Sequence, residues 1–277
     1  MLNLFRKFWH GGNLRRSAVL VLLTLGLVTA SGASGAQDRP LSSIAERPLA
    51  FQPGETLTYD ISWSNIVTAG TAVVKVNRDR LPDNREVLVF TVTGRSVGVV
   101  DSVFRVDDSV RSVFDPQTMQ SLSYSLAEHY GAKKRNREVV FDRAHHTVVS
   151  RLNNDLPETF DVPDQVLDVL STLYYIRMLD DFTPGRTTTI DVHDSGKNWS
   201  VEVQTLGRER TKTPAGEFDT IEIRTYPRYQ GVFLNKGEVF LWLTNDSRRI
   251  PVLMKSKLKV GAFVFALTGM KMEAMEQ

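Results

Sequence analysis

From residue 54 onward, apolar residues recur at every second position in short runs, the period of strands with one dry and one wet face. Leu57, Tyr59, Ile61 and Trp63 share one parity against Thr56, Thr58, Asp60 and Ser62. Leu122, Tyr124 and Leu126 alternate with serines, and Trp199, Val201 and Val203 oppose Glu202 and Gln204. Val252, Met254, Leu258 and Val260 oppose Lys255, Lys257 and Lys259. Turn signals separate the runs: Pro82-Asp83-Asn84, Asp115-Pro116, Asp194-Ser195-Gly196 and Pro214-Ala215-Gly216. Roughly a dozen strands follow from this spacing, too many for one flat sheet. The pattern predicts a mainly β protein, a strongly curved antiparallel sheet or half-barrel.

One segment breaks the alternation. Residues 163–178 (PDQVLDVLSTLYYIRM) begin with proline and carry Asp164 and Asp168 early, where acids meet the positive end of a helix dipole. Its apolar positions cover about 200° of a helical circumference, twice what a helix lying on one sheet face needs. The spacing predicts a helix over about 164–179, gripped on several sides within the concavity. Arg177 falls near the middle of that apolar arc. Two readings stay open: a last-turn cation whose head snorkels to water, or a buried guanidinium paired with a carboxylate.

The N-terminus is read as an address. Arg6, Lys7, Arg15 and Arg16 precede an apolar run from Ala18 to Ala30, and Ser34-Gly35-Ala36 supplies a small-residue cleavage site. Residues 1–36 are thus expected to be a cleavable signal peptide, with an uncleaved anchor helix as the alternative. Residues 37–53 are expected to be an extended lead-in, 54–270 a single curved β domain and 271–277 a tail. No later stretch is apolar enough for a membrane helix. Loss of the four leader cations turns the formal net charge from +2 to −2, as 34 lysines and arginines become 30 against 32 acids. That balance argues against a nucleic-acid partner. The chain has no cysteine, which excludes disulfides, thiolate metal sites and a cysteine nucleophile.

Several motifs resemble catalytic or metal sites without their context. Gly94-Arg95-Ser96-Val97-Gly98 fits G-x-S-x-G, with His193 as a conceivable base, but no adequate helix is expected to follow and the surroundings are antiparallel. Adjacent His145 and His146 on a strand would point to opposite faces and could not share an ion. Asp107-Asp108 and Asp180-Asp181 read as loop or solvated-face acids, and Lys133-Lys134-Arg135-Asn136-Arg137 as a basic hairpin turn, alternatively a contact for anionic lipid head groups. Asn198-Trp199-Ser200 and Asn245-Asp246-Ser247 fit a glycosylation acceptor, relevant only to a eukaryotic secretory pathway. No catalytic residue, metal or cofactor is expected, and the chain is read as no enzyme.

An ordered set of landmarks adds to this. Gly54-Glu55-Thr56-Leu57-Thr58-Tyr59-Asp60-Ile61-Ser62-Trp63 precedes Ala69-Gly70-Thr71, then Asp101, Phe104, Val106 and Asp108. The segment from Asp168 to Arg177 follows, then Thr213-Pro214-Ala215-Gly216-Glu217-Phe218 and Trp242-Leu243, Asp246, Arg249, Pro251-Val252. In order and spacing this resembles the exported bacterial family catalogued as domain of unknown function 3108, over about residues 51–270. The resemblance implies a periplasmic location and a single curved β domain, not a reaction. The architecture is similar to the half-barrels of periplasmic lipoprotein carriers, which hold acyl chains in a concave apolar face. On that analogy the chain is expected to bind a lipid or other apolar ligand. Its wall would include Tyr59, Trp63, Phe90, Tyr124, Trp242, Phe263 and Phe265, each of which core packing would also explain. The alternative is a structural or interaction component of the cell envelope with a filled core and a protein partner.

Overall fold

Hairpin after hairpin, the chain adds each strand beside the one before it. The computed structural model describes residues 48–103, 105–131, 133–229, 232–233, 238–257 and 261–272. The leader, residues 37–47 of the lead-in, Phe104, Leu258, Lys259, Val260 and residues 273–277 lie outside the described residues. The first run is β1 (Glu55–Trp63), β2 (Val67–Arg80), β3 (Glu86–Ser96), a short helix α1 (Gly98–Val103), β4 (Val106–Asp115) and β5 (Gln120–Tyr130). Then come β6 (Lys133–Asp142), β7 (Thr147–Leu152), β8 (Glu158–Asp161), β9 (Val166–Leu167) and the helix α2 (Val169–Arg177). The last run is β10 (Thr187–Asp194), β11 (Lys197–Thr213), β12 (Gly216–Tyr229), β13 (Val232–Phe233), β14 (Val239–Thr244), β15 (Pro251–Lys257) and β16 (Ala262–Met272). The order across the sheet is β8-β7-β6-β5-β4-β3-β2-β1-β16-β15-β14-β12-β11-β10-β9, with β13 on β12. Sixteen strands among the described residues thus stand against the expected rough dozen, and β16 extends into the supposed tail. The sheet is curved, mainly antiparallel and open, with β8 and β9 as its edges; only β9 pairs in parallel, with β10.

Alternation decides the inner face, and one bulge corrects it. On β1, Glu55, Leu57, Tyr59 and Ile61 are buried together. On β5, Leu122 shares parity with Tyr124 and Leu126, yet the register to β4 slips between Val113 and Phe114. The extra residue turns Ser121 inward and sends Leu122 to the other face, against Val87, Val89 and Val113. Most of the other buried apolar residues join one large core.

The helix is shorter than its apolar pattern. Asp168, not Pro163, starts it: one carboxylate oxygen accepts the Leu170 and Ser171 N–H groups at 2.9 Å, the N-cap arrangement. Its other oxygen accepts the Ser112 and Ser171 hydroxyls, and the Ser121 hydroxyl accepts the Asp168 N–H. Held so, Val166 and Leu167 stay extended and pair with Asp191 and Val192. Leu170, Tyr174, Tyr175 and Ile176 are buried, so the helix is enclosed as its wide apolar arc requires.

At the helix C-terminus the open choice for Arg177 resolves to the buried pair. Its side chain is 2% exposed, and its two terminal nitrogens meet Glu55 Oε1 and Oε2 at 2.7 and 2.8 Å. The same guanidinium donates to the carbonyls of Ala50 and Arg248 and lies over the rings of Phe51 and Tyr174. Phe51 and Ala50, assigned by sequence to a mere lead-in, are core residues: Phe51 packs edge-on to Tyr174 at 4.8 Å. Residues 50 and 51 of the lead-in are therefore packed on the lock.

The open edges meet through side chains instead of a ladder. Arg143 donates to the carbonyls of Ser121 and Val166, both at 2.8 Å, stitching β5 to β9. Asn198 donates to Asp161 O at 2.7 Å, joining the β8 edge to the β10–β11 hairpin. Phe160 fills the adjacent gap, and a Cβ on Gly196 (φ +75°) would approach its ring to 3.0 Å. Replacing Asn198 by alanine removes this bridge and is expected to cost about 0.5–1.5 kcal/mol. Hydrogen exchange checks it: the amides of β8 should exchange faster than in the parent while those of β1 keep their protection. Unchanged β8 protection would refute the seam.

Candidate functional site

Strand polarity divides the interior into two halves. Helix α2 reaches from Ser112 on β4, which bonds its N-cap, to Glu55 on β1, which bonds Arg177. The ladder Ser112–Phe90–Val76 puts both anchors near the end of the sheet where β1 begins. The far half, where β1, β3 and β5 end, is lined mainly by strands, with Val100 of α1 packed against the core there.

One wall of that half is charged. Asp108 on β4 is paired across the ladder with Glu128 on β5, and Glu128 in turn with Arg135 on β6. Asp108 is buried and accepts the His129 N–H at 3.1 Å. Glu128 is completely buried, with Arg135 Nη1 3.6 Å from its Oε2. Arg137 is paired with Leu126, which puts it on the same inner face, and reaches Ser150 Oγ. Two carboxylates and two guanidiniums thus share one layer, which balances charge that would otherwise be costly to bury. The opposing wall is apolar: Trp63 packs edge-on to Phe263 at 5.1 Å, and Trp199 and Val201 face inward from β11.

Tyr124 sits where the charged wall meets the helix N-terminus. It is buried and its hydroxyl has no hydrogen-bond partner in the described protein. Burial pushes the phenol well above its ordinary range, and the nearby carboxylates of Asp194, Asp168 and Glu128 push it the same way. His193 closes the seam beside it, its Nδ1 2.8 Å from Asn198 Oδ1 and its ring 5.6 Å from Phe160.

The aromatic residues expected to form a ligand wall divide between locations. Phe90 stacks on Tyr174 at 3.7 Å, Tyr59 donates its hydroxyl to Pro251 O at 2.7 Å, and Phe265 is buried beside Ile61. Tyr59 and Phe90 therefore pack around the lock and helix. Trp63 and Phe263 line the far half, while Tyr124 stands opposite Ser112 beside the helix N-cap. Trp242 does not share this face: Leu241 and Leu243 point to the core, so Trp242 and its neighbour Phe240 stand on the convex side. There its indole N–H donates to Glu209.

Other sequence expectations are revised by their neighbours. Asp107-Asp108 lies in β4 rather than in a loop, with Asp108 buried. Lys133–Arg137 is not a turn but the start of β6, in which alternate arginines face inward. A six-residue helix, α1, does follow Ser96; the Ser96 hydroxyl donates to Asp101 at 2.6 Å and accepts the Val106 N–H at 2.8 Å. His145 pairs with Asp142 and His146 with Asp164, so the two imidazoles diverge. The buried charges went unread although their signal was present: Glu55, Asp108 and Glu128 each share parity with an apolar stripe.

The family model described as a protein of unknown function (DUF3108) matches residues 58–268. A β-barrel-like protein of another family of unknown function, DUF1849, from Brucella abortus superposes with a TM-score of 0.56 at 10% identity, covering 79% of this chain and 98% of that one. A candidate lipoprotein of Parabacteroides distasonis (TM-score 0.32, 11% identity, 80% and 98% covered) is more distant. So is a candidate exported protein with a YmcC-like fold from Bacteroides fragilis (0.31, 13%, 79% and 96%). No curated protein matches the chain. No helix among the described residues is long and apolar enough to cross a membrane.

Burial holds His193 below its ordinary 6.5, and nearby Arg137 adds to the effect against the bond to Asn198. The unfolded chain takes up this proton as the pH falls through about 6.5, whereas the folded chain resists it. Stability present at pH 7.5 should therefore decline toward pH 5, and His193→Asn should flatten that part of the profile. Urea midpoints across this range for parent and variant provide the check; parallel profiles would contradict it.

Proposed function

The chain belongs to the DUF3108 family, a family without an established activity, and on that premise we propose that it is an exported, non-enzymatic binding protein for an amphiphile. The ligand's apolar part would lie along Trp63, Phe263 and Trp199, and its polar part would face Tyr124 and the charged wall. The observation that carries this reading is the buried Tyr124 hydroxyl, left without a protein partner beside the α2 N-cap, where the charged wall begins. A buried hydroxyl is ordinarily satisfied. The two walls, one aromatic and one charged, match a ligand with both characters.

A non-catalytic role is supported by how the hydroxyl of Ser96 is used. It donates to Asp101 and accepts from Val106, which fixes the turn into β4. His193 is held by Asn198 at the seam instead.

The second reading, an envelope interaction protein with a filled core, draws on the tight packing of Tyr59, Phe90, Phe263 and Phe265, all nearly inaccessible. Native mass spectrometry of protein purified from its own envelope separates the two. Binding predicts a co-purified lipid-sized mass, and after delipidation an affinity for fatty acids that rises with chain length. Tyr124→Phe should weaken that binding about fivefold, one hydrogen bond's worth, without lowering stability. A bare protein with no chain-length dependence would reject the ligand reading in favour of the second.

A further inference from the structure

The far end of the sheet carries an apolar and basic rim. Ile66, in the β1–β2 turn, is 72% exposed and Val99, on α1, 63% exposed, among the most exposed large apolar side chains of the described residues. Both stand at the same end by strand polarity, and Val97 N–H donates to Ala69 O, bringing the start of α1 against β2. The Gly131 N–H donates to Arg105 O, which ties the β5–β6 connection to the exit of α1. Arg105, Lys133 and Lys134 are exposed there, and none of the three forms an ion pair among the described residues. The opposite end differs: Arg85 meets Asp83 at 2.7 Å, Arg78 meets Glu86 at 3.2 Å and Arg248 meets Asp246 at 3.1 Å. Two acids at this end are engaged, Asp101 by the Ser96 hydroxyl and Asp107 by Arg95.

We propose that this rim docks on an anionic phospholipid surface. Ile66 and Val99 would enter the head-group layer while Arg105, Lys133 and Lys134 face the phosphates. Isolated apolar side chains on protruding connections cost little in water yet gain on entering the interface, and unpaired cations beside them add attraction to anionic lipid. A protein partner would more naturally meet a broad face than separate tips flanked by free lysines. The proposal is independent of what the interior holds.

Flotation with vesicles tests it. The lock, seam and core all lie between Ala50 and Met272, so the chain from Gln37 carries the whole described fold and avoids the apolar leader. This protein should float with phosphatidylglycerol-rich vesicles at low salt and stay behind with pure phosphatidylcholine vesicles. Lys133→Gln with Lys134→Gln should weaken association about thirtyfold, from about 1 kcal/mol for each surface lysine. Ile66→Ser with Val99→Ser, exposed positions that should leave the urea midpoint unchanged, should weaken it severalfold. Tyr124→Phe should leave flotation unaltered, which separates this surface from the interior site. Absence of flotation with anionic vesicles, or equal flotation by the rim variants, would overturn the proposal.

Discussion

A single buried ion pair joins the parts of this molecule that are most distant in sequence. Arg177 ends the longer of the two helices among the described residues, Glu55 opens β1, and the guanidinium also holds carbonyls from the segment before β1 and from the β14–β15 connection. A carboxylate or a guanidinium buried alone would be strongly destabilising, so each requires the other. The bidentate geometry also fixes direction, which greasy packing around Tyr174 and Phe90 does not. The lock therefore determines which end of the curled sheet the helix occupies, and through that which half of the interior α2 leaves to other residues.

The curvature follows from the same economy of partners. A sheet this long leaves two edges, and exposed edges invite pairing with other chains. Here the edges are brought together without a ladder, by Arg143 across β5 and β9 and by Asn198 across β8 and the β10–β11 hairpin. The helix N-terminus is fixed by Asp168, whose carboxylate is shared with Ser112 and Ser171. With both helix ends anchored by ionisable groups, the opposite half of the interior keeps its own polar layer of Asp108, Glu128, Arg135 and Arg137. The candidate site is thus a consequence of where the helix stops.

Much of the architecture was legible because a strand with one wet face writes its period into the chain. Leu57, Tyr59 and Ile61 declared their face directly. Where the backbone departs from regular pairing, the period misleads: the slip at Val113–Phe114 inverts Leu122, which no local pattern reveals. The helix start was misread because Pro163-Asp164 and Asp168 both suit an N-terminus, and only the tertiary bonds of Ser112 and Ser121 select the second. Arg177 stood out on its apolar arc, but its partner did not, since one acid among many attracts attention only when its parity is compared with that of its apolar neighbours. The same comparison would have found Asp108 and Glu128. The family assignment agrees with the ordered landmarks, whereas aromaticity alone could not tell Trp242 on the convex side from Trp63 on the concave one.

The most direct test of the account is a double-mutant cycle on the lock, with Glu55→Gln, Arg177→Met and the double variant compared by urea unfolding. Each single change should cost about 3–5 kcal/mol by stranding its partner. The double variant should lose clearly less than the sum of the two. Single losses below about 1 kcal/mol that add within about 0.5 kcal/mol would show that the pair does not couple helix to sheet.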